Sequence, residues 1–415
     1  MAPTPRVALL LAIVGLSALV MPPLVSALAA VAVIGAAAAD AFLVRHSPQL
    51  RREAPEIMSR GVPEQLTVEA SSPWAGTIRV RQPSPPDLYL GEPESETPLR
   101  SEIVARRRGR HVLPAAAARA EGPLRLGAWY HRGGGEAEVR VYPDLPAARR
   151  IATSVRRSRF RDQGLKGKGP LGLGTEFERV REYSPDDDIR QVNWLATARM
   201  DRPMSNDYRI EQDRDVIAVV DAGRLMASPI GDATRLDVAM DALTSLAAVA
   251  DEVGDRFGAL VFDSDVRRFL RPARGGGRLA VNTLFDMEPE PVDSDYVRAF
   301  QRVESAKRAW VVVFTDLLEE VAARSLIEGV PVLVRKHSVA IATVRDPDIE
   351  AAVSTVPSQP LDAYRAAVAV DVTEARRRVG VRLTHAGAQL VEANADSLGA
   401  ATVGAYLRAK SRARL

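Results

Sequence analysis

Val216-Ile217-Ala218-Val219-Val220-Asp221 is a continuous apolar run that ends on an acid. A strand with one wet face alternates apolar and polar residues, whereas a run without alternation is a strand covered on both faces, as in a parallel sheet flanked by helices. The pattern repeats downstream. Leu236, Met240, Leu243, Ala247 and Ala250 recur at three- and four-residue spacing, which predicts a helix. A second buried run, 257–262, ends at Asp263, a third, 310–314, ends at Thr315-Asp316, and a fourth, 338–344, precedes Arg345-Asp346-Pro347. Strands alternating with helices predict a doubly wound α/β domain over 206–350. Ligands of such sheets bind at the carboxyl ends of the strands, where Asp221, Asp263 and Asp316 fall.

This half resembles a von Willebrand factor A domain. The resemblance implies a Mg²⁺ held by a D-x-S-x-S loop after the first strand, with a threonine and a second aspartate from later loops; hard oxygen ligands are what this ion requires. Asp221 and Asp316 stand at the two acid positions, but Gly223 and Leu225 replace both serines in Asp221-Ala222-Gly223-Arg224-Leu225. Ser294, between Asp293 and Asp295, is the nearest candidate for the third-loop oxygen. The site is therefore degenerate. One reading is metal-mediated capture of a partner's carboxylate; the other is two buried aspartates that cap helices and bind Arg224. Two lost hydroxyls favour the second, so no cofactor is expected, Mg²⁺ included.

Upstream lies Gly172 to Arg199, GLGTEFERVREYSPDDDIRQVNWLATAR, in which acids and arginines interleave around Phe177, Tyr183 and Trp194. The mixture suits neither a plain helix nor a plain strand, and Ser184-Pro185-Asp186-Asp187 is a turn signal. The stretch is similar to the signature of the bacterial domain of unknown function 58 (DUF58) family, roughly G-x-G-x-E-F-x-x-x-R-x-Y-x-P-G-D-D-x-R-x-I-D-W. Gly172, Gly174, Glu176, Phe177, Arg181, Tyr183, Pro185, Asp187, Asp188, Arg190 and Trp194 match it, while Asp186 replaces a glycine and Asn193 an aspartate. Two roles are open for these residues. They form a structural clamp, with charges paired and aromatics buried beside the sheet, or they form a docking surface; three aromatics favour the clamp.

The chain begins with two uncharged apolar runs, Val7 to Met21 and Leu24 to Ala39, separated by Pro22-Pro23; Asp40 interrupts the second before Ala41-Phe42-Leu43-Val44. Prolines suit a tight turn between helices, so a transmembrane helical hairpin is expected over 1–45. Arg6 precedes it and Arg45, Arg51 and Arg52 follow it, which by the positive-inside rule places both ends in the cytoplasm. A signal peptide cleaved near Ala36 to Ala39 is the rival, and two apolar runs are one too many for it. From 46 to 145 the period changes to two: Leu66, Val68 and Ala70, then Ile78 and Val80, then Val139 and Val141. That predicts a small antiparallel β domain, sandwich-like, and Arg107-Arg108-Gly109-Arg110-His111 is similar to an Arg-Arg-Gly-x-Tyr element of the family. Residues 146–205 are expected to hold a basic linker (Arg149, Arg150, Arg156, Arg157, Arg159, Arg161, Lys166, Lys168) and the signature, and 351–415 a helical segment.

Composition narrows the function. Of 415 residues 46% are hydrophobic, enough for cores in two or three domains. The net charge of +3 demands no nucleic-acid partner, and Phe160 alone interleaves with the basic run, which is poor material for base stacking. Cysteine is absent and the five histidines are scattered, which excludes thiol chemistry and argues against zinc. No Ser-His-Asp order or phosphate-cradling glycine loop is present, so an enzyme is not expected. The resemblance implies a multi-pass protein of the inner (cytoplasmic) membrane, in contact with lipid, that acts with a MoxR-type AAA+ ATPase on a protein client in maturation or remodelling. The alternative is a hydrolase using the acids Glu176, Asp187 and Asp188.

Overall fold

A computed structural model describes residues 1–164, 176–184, 187, 189–209, 213–317 and 323–411, with backbone alone at 158–164, 176–179, 190 and 207–209. Gly172, Gly174, Pro185 and Asp188 of the signature, with Lys166 and Lys168, lie outside the described residues. The chain divides into two compact units, Met1–Tyr142 and Pro143–Leu415.

The first unit opens with helices α1 (Pro5–Ser17) and α2 (Pro23–Leu43), which pack on each other. Each begins on a proline, where the missing N–H leaves no helical bond unmade. Leu9, Ile13, Leu16, Leu24, Leu28, Val31 and Ile34 point outward and are exposed. Among the described residues α2 is the one helix long and apolar enough to cross a bilayer, at 21 residues and mean hydropathy 2.0. The 13 residues of α1 fall short of the roughly 20 that a span needs, so one apolar helix of spanning length is shown where two membrane runs were read.

The β region follows as β1 (Gln49–Glu53), β2 (Ile57–Ser59), β3 (Glu64–Ser71), β4 (Thr77–Arg81), β5 (Leu88–Leu90), β6 (Glu94–Glu96), β7 (Leu99–Ala105), β8 (Gly109–Leu113), β9 (Ala116–Glu121), β10 (Gly127–Gly133) and β11 (Ala137–Tyr142). They form an antiparallel sheet β1-β3-β7-β5, a second antiparallel sheet β10-β9-β4-β6, and a third, β2-β11-β8, in which β2 runs parallel to β11. The period-two residues face inward: Leu66, Val68, Val80, Leu99, Ile103, Val139 and Val141 form one core.

Asp40 joins helix to strands. Its side chain is buried, and its carboxylate accepts from three backbone amides of the β9–β10 turn: Leu124 N at 3.0 Å, Leu126 N at 2.8 Å and Gly127 N at 3.0 Å. Gly127 is needed for the approach, since a Cβ there would stand 2.4 Å from the Ala37 carbonyl oxygen. On the other side of the turn, Thr4 donates its N–H to Leu126 O (3.0 Å) and its hydroxyl to Arg125 O (2.6 Å), and Ala2–Pro3 pair antiparallel with β10. The acid that interrupts the apolar run is thus the acceptor that the turn requires.

The second unit begins with α3 (Leu145–Gly164), which packs on the helix Arg235–Val253; the basic stretch read as a linker is a helix over this range. The strands β12 (Glu176–Glu182) and β13 (Met204–Arg209) pair antiparallel, with the short helix α4 (Trp194–Met200) between them. Then come β14 (Asp215–Asp221), α5 (Arg235–Val253), β15 (Arg256–Phe262), β16 (Val266–Arg274), α6 (Gly276–Leu284), α7 (Tyr296–Glu304), β17 (Ala309–Phe314), α8 (Ala323–Val334), β18 (Ser338–Val344), α9 (Pro347–Ser354), α10 (Pro360–His385), β19 (Gln389–Ala393) and α11 (Leu398–Ser411). The C-terminal segment, read as helical, therefore also supplies a strand. Sheet order is β16-β15-β14-β17-β18-β19, parallel except for the edge strand β16.

Every residue of β14 is buried. Ile217 and Val219 face a core built with Tyr296, Phe300, Leu326, Val330, Val379 and Leu383 of α7, α8 and α10; the alternate residues face the other way, the side taken by α5. Thr234 and Asp237 close a capping box at the start of α5, and Gly254 ends it at φ 85°, a left-handed conformation in which glycine carries no Cβ penalty. Helix α11 is tied to the sheet by Lys410, whose Nζ lies 2.6 Å from both carboxylate oxygens of buried Asp255, and by the Tyr406 hydroxyl donating to the same group.

Asp40→Ala would strip three backbone amides, the buried one of Gly127 among them, of their acceptor. A hydrogen bond to a charged group contributes about 1.5–3 kcal/mol, so a loss on the order of 3 kcal/mol or more is expected, read as a fall in thermal midpoint of the detergent-solubilised chain. Asp40→Asn, which keeps one acceptor oxygen, should fall by less.

Candidate functional site

In the second unit β14 and β17 lie side by side while the chain leaves them toward opposite edges of the sheet, making a switch point whose crevice opens at their carboxyl ends. Asp221 ends β14, and Thr315 and Asp316 follow β17. The carboxylate of Asp221 is buried and surrounded by donors. Oδ1 accepts from Gly223 N at 2.9 Å and from the Ser294 hydroxyl; Oδ2 accepts from Tyr296 OH at 2.8 Å and Thr315 Oγ1 at 2.7 Å. Tyr296, at the start of α7, is also 2.7 Å from Thr315 Oγ1. Burial first, and the Asp221 charge second, push its phenol well above the usual tyrosine range, so it stays protonated and donating.

Asp316 faces cations instead. Arg235, the first residue of α5, is 2% exposed in its side chain, with Nε 2.8 Å from Asp316 Oδ2 and Nη2 2.6 Å from Asp346 Oδ2. Arg376 of α10 reaches Asp316 Oδ1 at 3.5 Å and donates to Val344 O at 2.7 Å. Burial outweighs the attraction of both guanidiniums and raises the Asp316 carboxyl above its ordinary range, while burial likewise lowers Arg235. Both shifts state the cost of keeping charge in a dry interior, which paired ions only partly recover.

The expected pairing of the two aspartates with Arg224 is not what forms. Arg224 sits at the surface with Nε 2.6 Å from Asp293 Oδ1, and among the described residues neither Asp221 nor Asp316 caps a helix. Nor do the residues fit a divalent cation. Both oxygens of Asp221 are taken by hydroxyl and amide donors, Asp316 Oδ1 accepts from Leu317 N at 2.7 Å while Oδ2 faces the Arg235 guanidinium as an ion pair, and among the described residues no group of three acids or histidines converges. Asp263 accepts from Asp265 N at 3.1 Å and turns its own loop. Asp346 and Arg376 also line a cavity of about 510 Å³ with Arg345, Glu350, Arg377 and Glu392, a lining near charge balance that selects neither sign of ligand.

The signature is built around Arg181 and Asp187. The guanidinium donates through both terminal nitrogens to the carboxylate, at 2.7 and 2.6 Å, and Ser184 N adds a bond of 2.8 Å. Hydrogen bonding from Arg181, helped by the Ser184 amide and opposed by burial, holds the Asp187 carboxyl below its ordinary range. Tyr183 OH donates to Asp187 O at 3.3 Å, and Asn193 caps α4, accepting from Ala196 N at 2.9 Å. Asparagine thus does the capping that the family's usual aspartate could also do.

The three aromatics do not share a buried site. Trp194 is 70% exposed, Tyr183 is half-buried, and the side chain of Phe177 is outside the description, as are those of Glu176 and Arg190. Ile189, Leu195 and Met200 are exposed beside Trp194 in sequence, at 70%, 66% and 52%. One short segment next to the Arg181–Asp187 pair therefore presents bare apolar side chains.

Sequence reasoning missed Arg235, Tyr296, Asp346 and Arg376. Arg235 had a signal, a guanidinium placed immediately before an otherwise apolar helix face; Tyr296 was hidden as one more residue in the apolar stripe of α7.

The family described as "Protein of unknown function DUF58" matches residues 179–392. The chain belongs to the DUF58 family. The DUF58 match begins within β12 and ends within β19, so it takes in the Arg181–Asp187 hairpin and the six-stranded sheet together. Uncharacterized proteins of mycobacteria are similar to it: Rv1480 of Mycobacterium tuberculosis and Mb1516 of Mycobacterium bovis are each 25% identical over 187 residues, 43% of this chain and 58% of the relative. The chain thus spans 58% of the length of these curated relatives.

Arg235→Ala leaves Asp316 and Asp346 without their shared cation. Breaking a buried pair costs about 3–5 kcal/mol, and chemical denaturation should show a loss of that size. Adding Asp316→Asn should recover part of it, because the abandoned charge is then gone.

Proposed function

We propose that this DUF58 protein is a membrane-anchored docking and assembly protein whose signature segment engages a MoxR-type AAA+ ATPase acting on a protein client. The observation that carries the reading is the exposure of Ile189, Trp194, Leu195 and Met200 on a segment that follows the bidentate Arg181–Asp187 pair and is tied to β13 by Asn193 N donating to Met204 O at 2.8 Å and Met204 N to Thr197 Oγ1 at 2.9 Å. Exposed apolar residues that cluster on a fixed support mark interaction sites. The ATPase partner comes from the family resemblance.

The α1–α2 hairpin, with its outward leucines and valines, is the anchor in this reading. It inserts in the inner membrane as a two-helix hairpin, with Arg6, Arg45, Arg51 and Arg52 on the cytoplasmic side. The second unit is von Willebrand factor A-like: its strand order and the acids at the ends of β14 and β17 support that view. Its metal site is replaced by internal partners, hydroxyls on Asp221 and guanidiniums on Asp316. No catalytic role is proposed. A hydrolytic acid needs a raised pKa, and Asp187 is held low.

Affinity purification of the full chain from detergent-solubilised membranes, with and without ATP, tests the docking role. Trp194→Ala with Leu195→Ala should remove the ATPase from the eluate, identified by mass spectrometry, and leave the melting temperature unchanged. Arg181→Ala should lower both. Full recovery of the ATPase by the double variant would refute the docking role.

Calorimetric titration of the full chain with Mg²⁺ and Mn²⁺ should give no binding heat. A micromolar site that disappears in Asp221→Ala would show that the degenerate centre still holds metal.

A further inference from the structure

Two loops of the β region meet at the base of the helical hairpin. The β9–β10 turn, residues 122–126, lies against the carboxyl end of α2: a Cβ on Gly122 would stand 2.2 Å from the Asp40 carboxylate, and one on Gly127 would stand 2.5 Å from Ala41 N. Beside it runs loop 72–76, since Gly76 N donates to Glu121 O at 2.9 Å and a Cβ on Gly76 would stand 3.1 Å from Pro123 Cα. The amino end of α1 joins the same turn through Thr4.

This base carries an unusual set of side chains. Leu124 is 61% exposed, Phe42 57% and Trp74 56%, on segments that the surrounding hydrogen bonds hold in place. Arg6, Arg45 and Arg125 are exposed around them, and none of the three is in an ion pair among the described residues. The guanidinium of Arg45 stands 3.9 Å from the centre of the Phe42 ring. Position along the helix agrees with chemistry. From Pro23 to Ala39 is about 25 Å of helix, close to the roughly 30 Å hydrocarbon thickness of a bilayer. Asp40 and its turn therefore stand at the edge of the hydrocarbon. Tryptophan prefers that level, and arginine there meets anionic headgroups.

We propose that loops 72–76 and 122–126, with the ends of α1 and α2, form a membrane-interface surface that seats Trp74 and Leu124 among the headgroups and binds anionic lipid through Arg6, Arg45 and Arg125. The proposal rests on the hairpin being the anchor, and it extends the contact from the helices to the β region. Asp40 is the element that fixes the depth, because it holds the turn against α2 with three amides that would otherwise meet little water. The partner is the lipid bilayer.

The chain has no cysteine, so single-cysteine variants report without background. Leu124→Cys, Trp74→Cys and, as a control, Val112→Cys would be labelled with an environment-sensitive fluorophore in the full-length protein. Val112 is exposed on β8, opposite Glu138 of β11, and the chain runs on from there to Ala116, the end of the β9–β10 ladder away from the turn. The protein would be reconstituted in phosphatidylcholine vesicles with and without phosphatidylglycerol. The labels at 124 and 74 should be blue-shifted and quenched several-fold more by spin-labelled lipid than the label at 112, which aqueous iodide should quench. Arg6→Gln, Arg45→Gln and Arg125→Gln together should abolish the extra shift given by phosphatidylglycerol. Iodide quenching at 124 and 74 equal to that at 112, in protein that floats with the vesicles and resists carbonate, would overturn the interface while leaving the anchor standing. Loss of flotation and extraction by carbonate would overturn the anchor, and the interface with it.

Discussion

A strand buried on both faces has nowhere to put a charge except its ends. Strand β14 is such a strand, and the rest of the second unit is arranged to satisfy that condition. Its neighbours are the equally apolar β15 and β17, its two faces are closed by α5 and by the α7, α8 and α10 core, and its terminal Asp221 is met by hydroxyls from two other segments. The same rule repeats next door, where Asp316 emerges from β17 into the guanidinium of Arg235. The crevice at the switch point is therefore filled by the protein's own donors, each supplied by a different element. Its chemistry locks the second unit's helices to the sheet.

The buried strands could be read in the sequence because their signal is local and redundant: several apolar runs, each ending on an acid. Alternation at Leu66, Val68, Val139 and Val141 was equally direct. What escaped was long-range pairing. Arg235 and Asp346 are separated by 111 residues, and nothing in the spacing of either announces the other. Arg224 was the nearer cation in sequence and so drew the expectation, yet its loop carries it to Asp293 at the surface.

The signature shows the opposite limit. Its residues were recognised one by one, but composition could not say which aromatics would bury. The Arg181–Asp187 pair satisfies the charge within the hairpin itself, so Trp194 is free to stand on the outer side of α4. Asp40 illustrates the same gap. In the sequence it interrupts an apolar run, and only the fold reveals that three amides of a distant turn need that carboxylate.

The last described helix has a consequence for how the protein is made. Lys410 reaches back across 155 positions to Asp255, and β19 closes the sheet edge only after everything before it has been synthesised. Contacts of such separation form slowly because long loops must close first. Until then β18 carries an open, hydrophobic edge of the kind that pairs with other chains. The nascent unit thus passes through a stage in which its parallel sheet is complete but for one strand. Premature termination within the last stretch would release a sticky half-product rather than a slightly shortened protein.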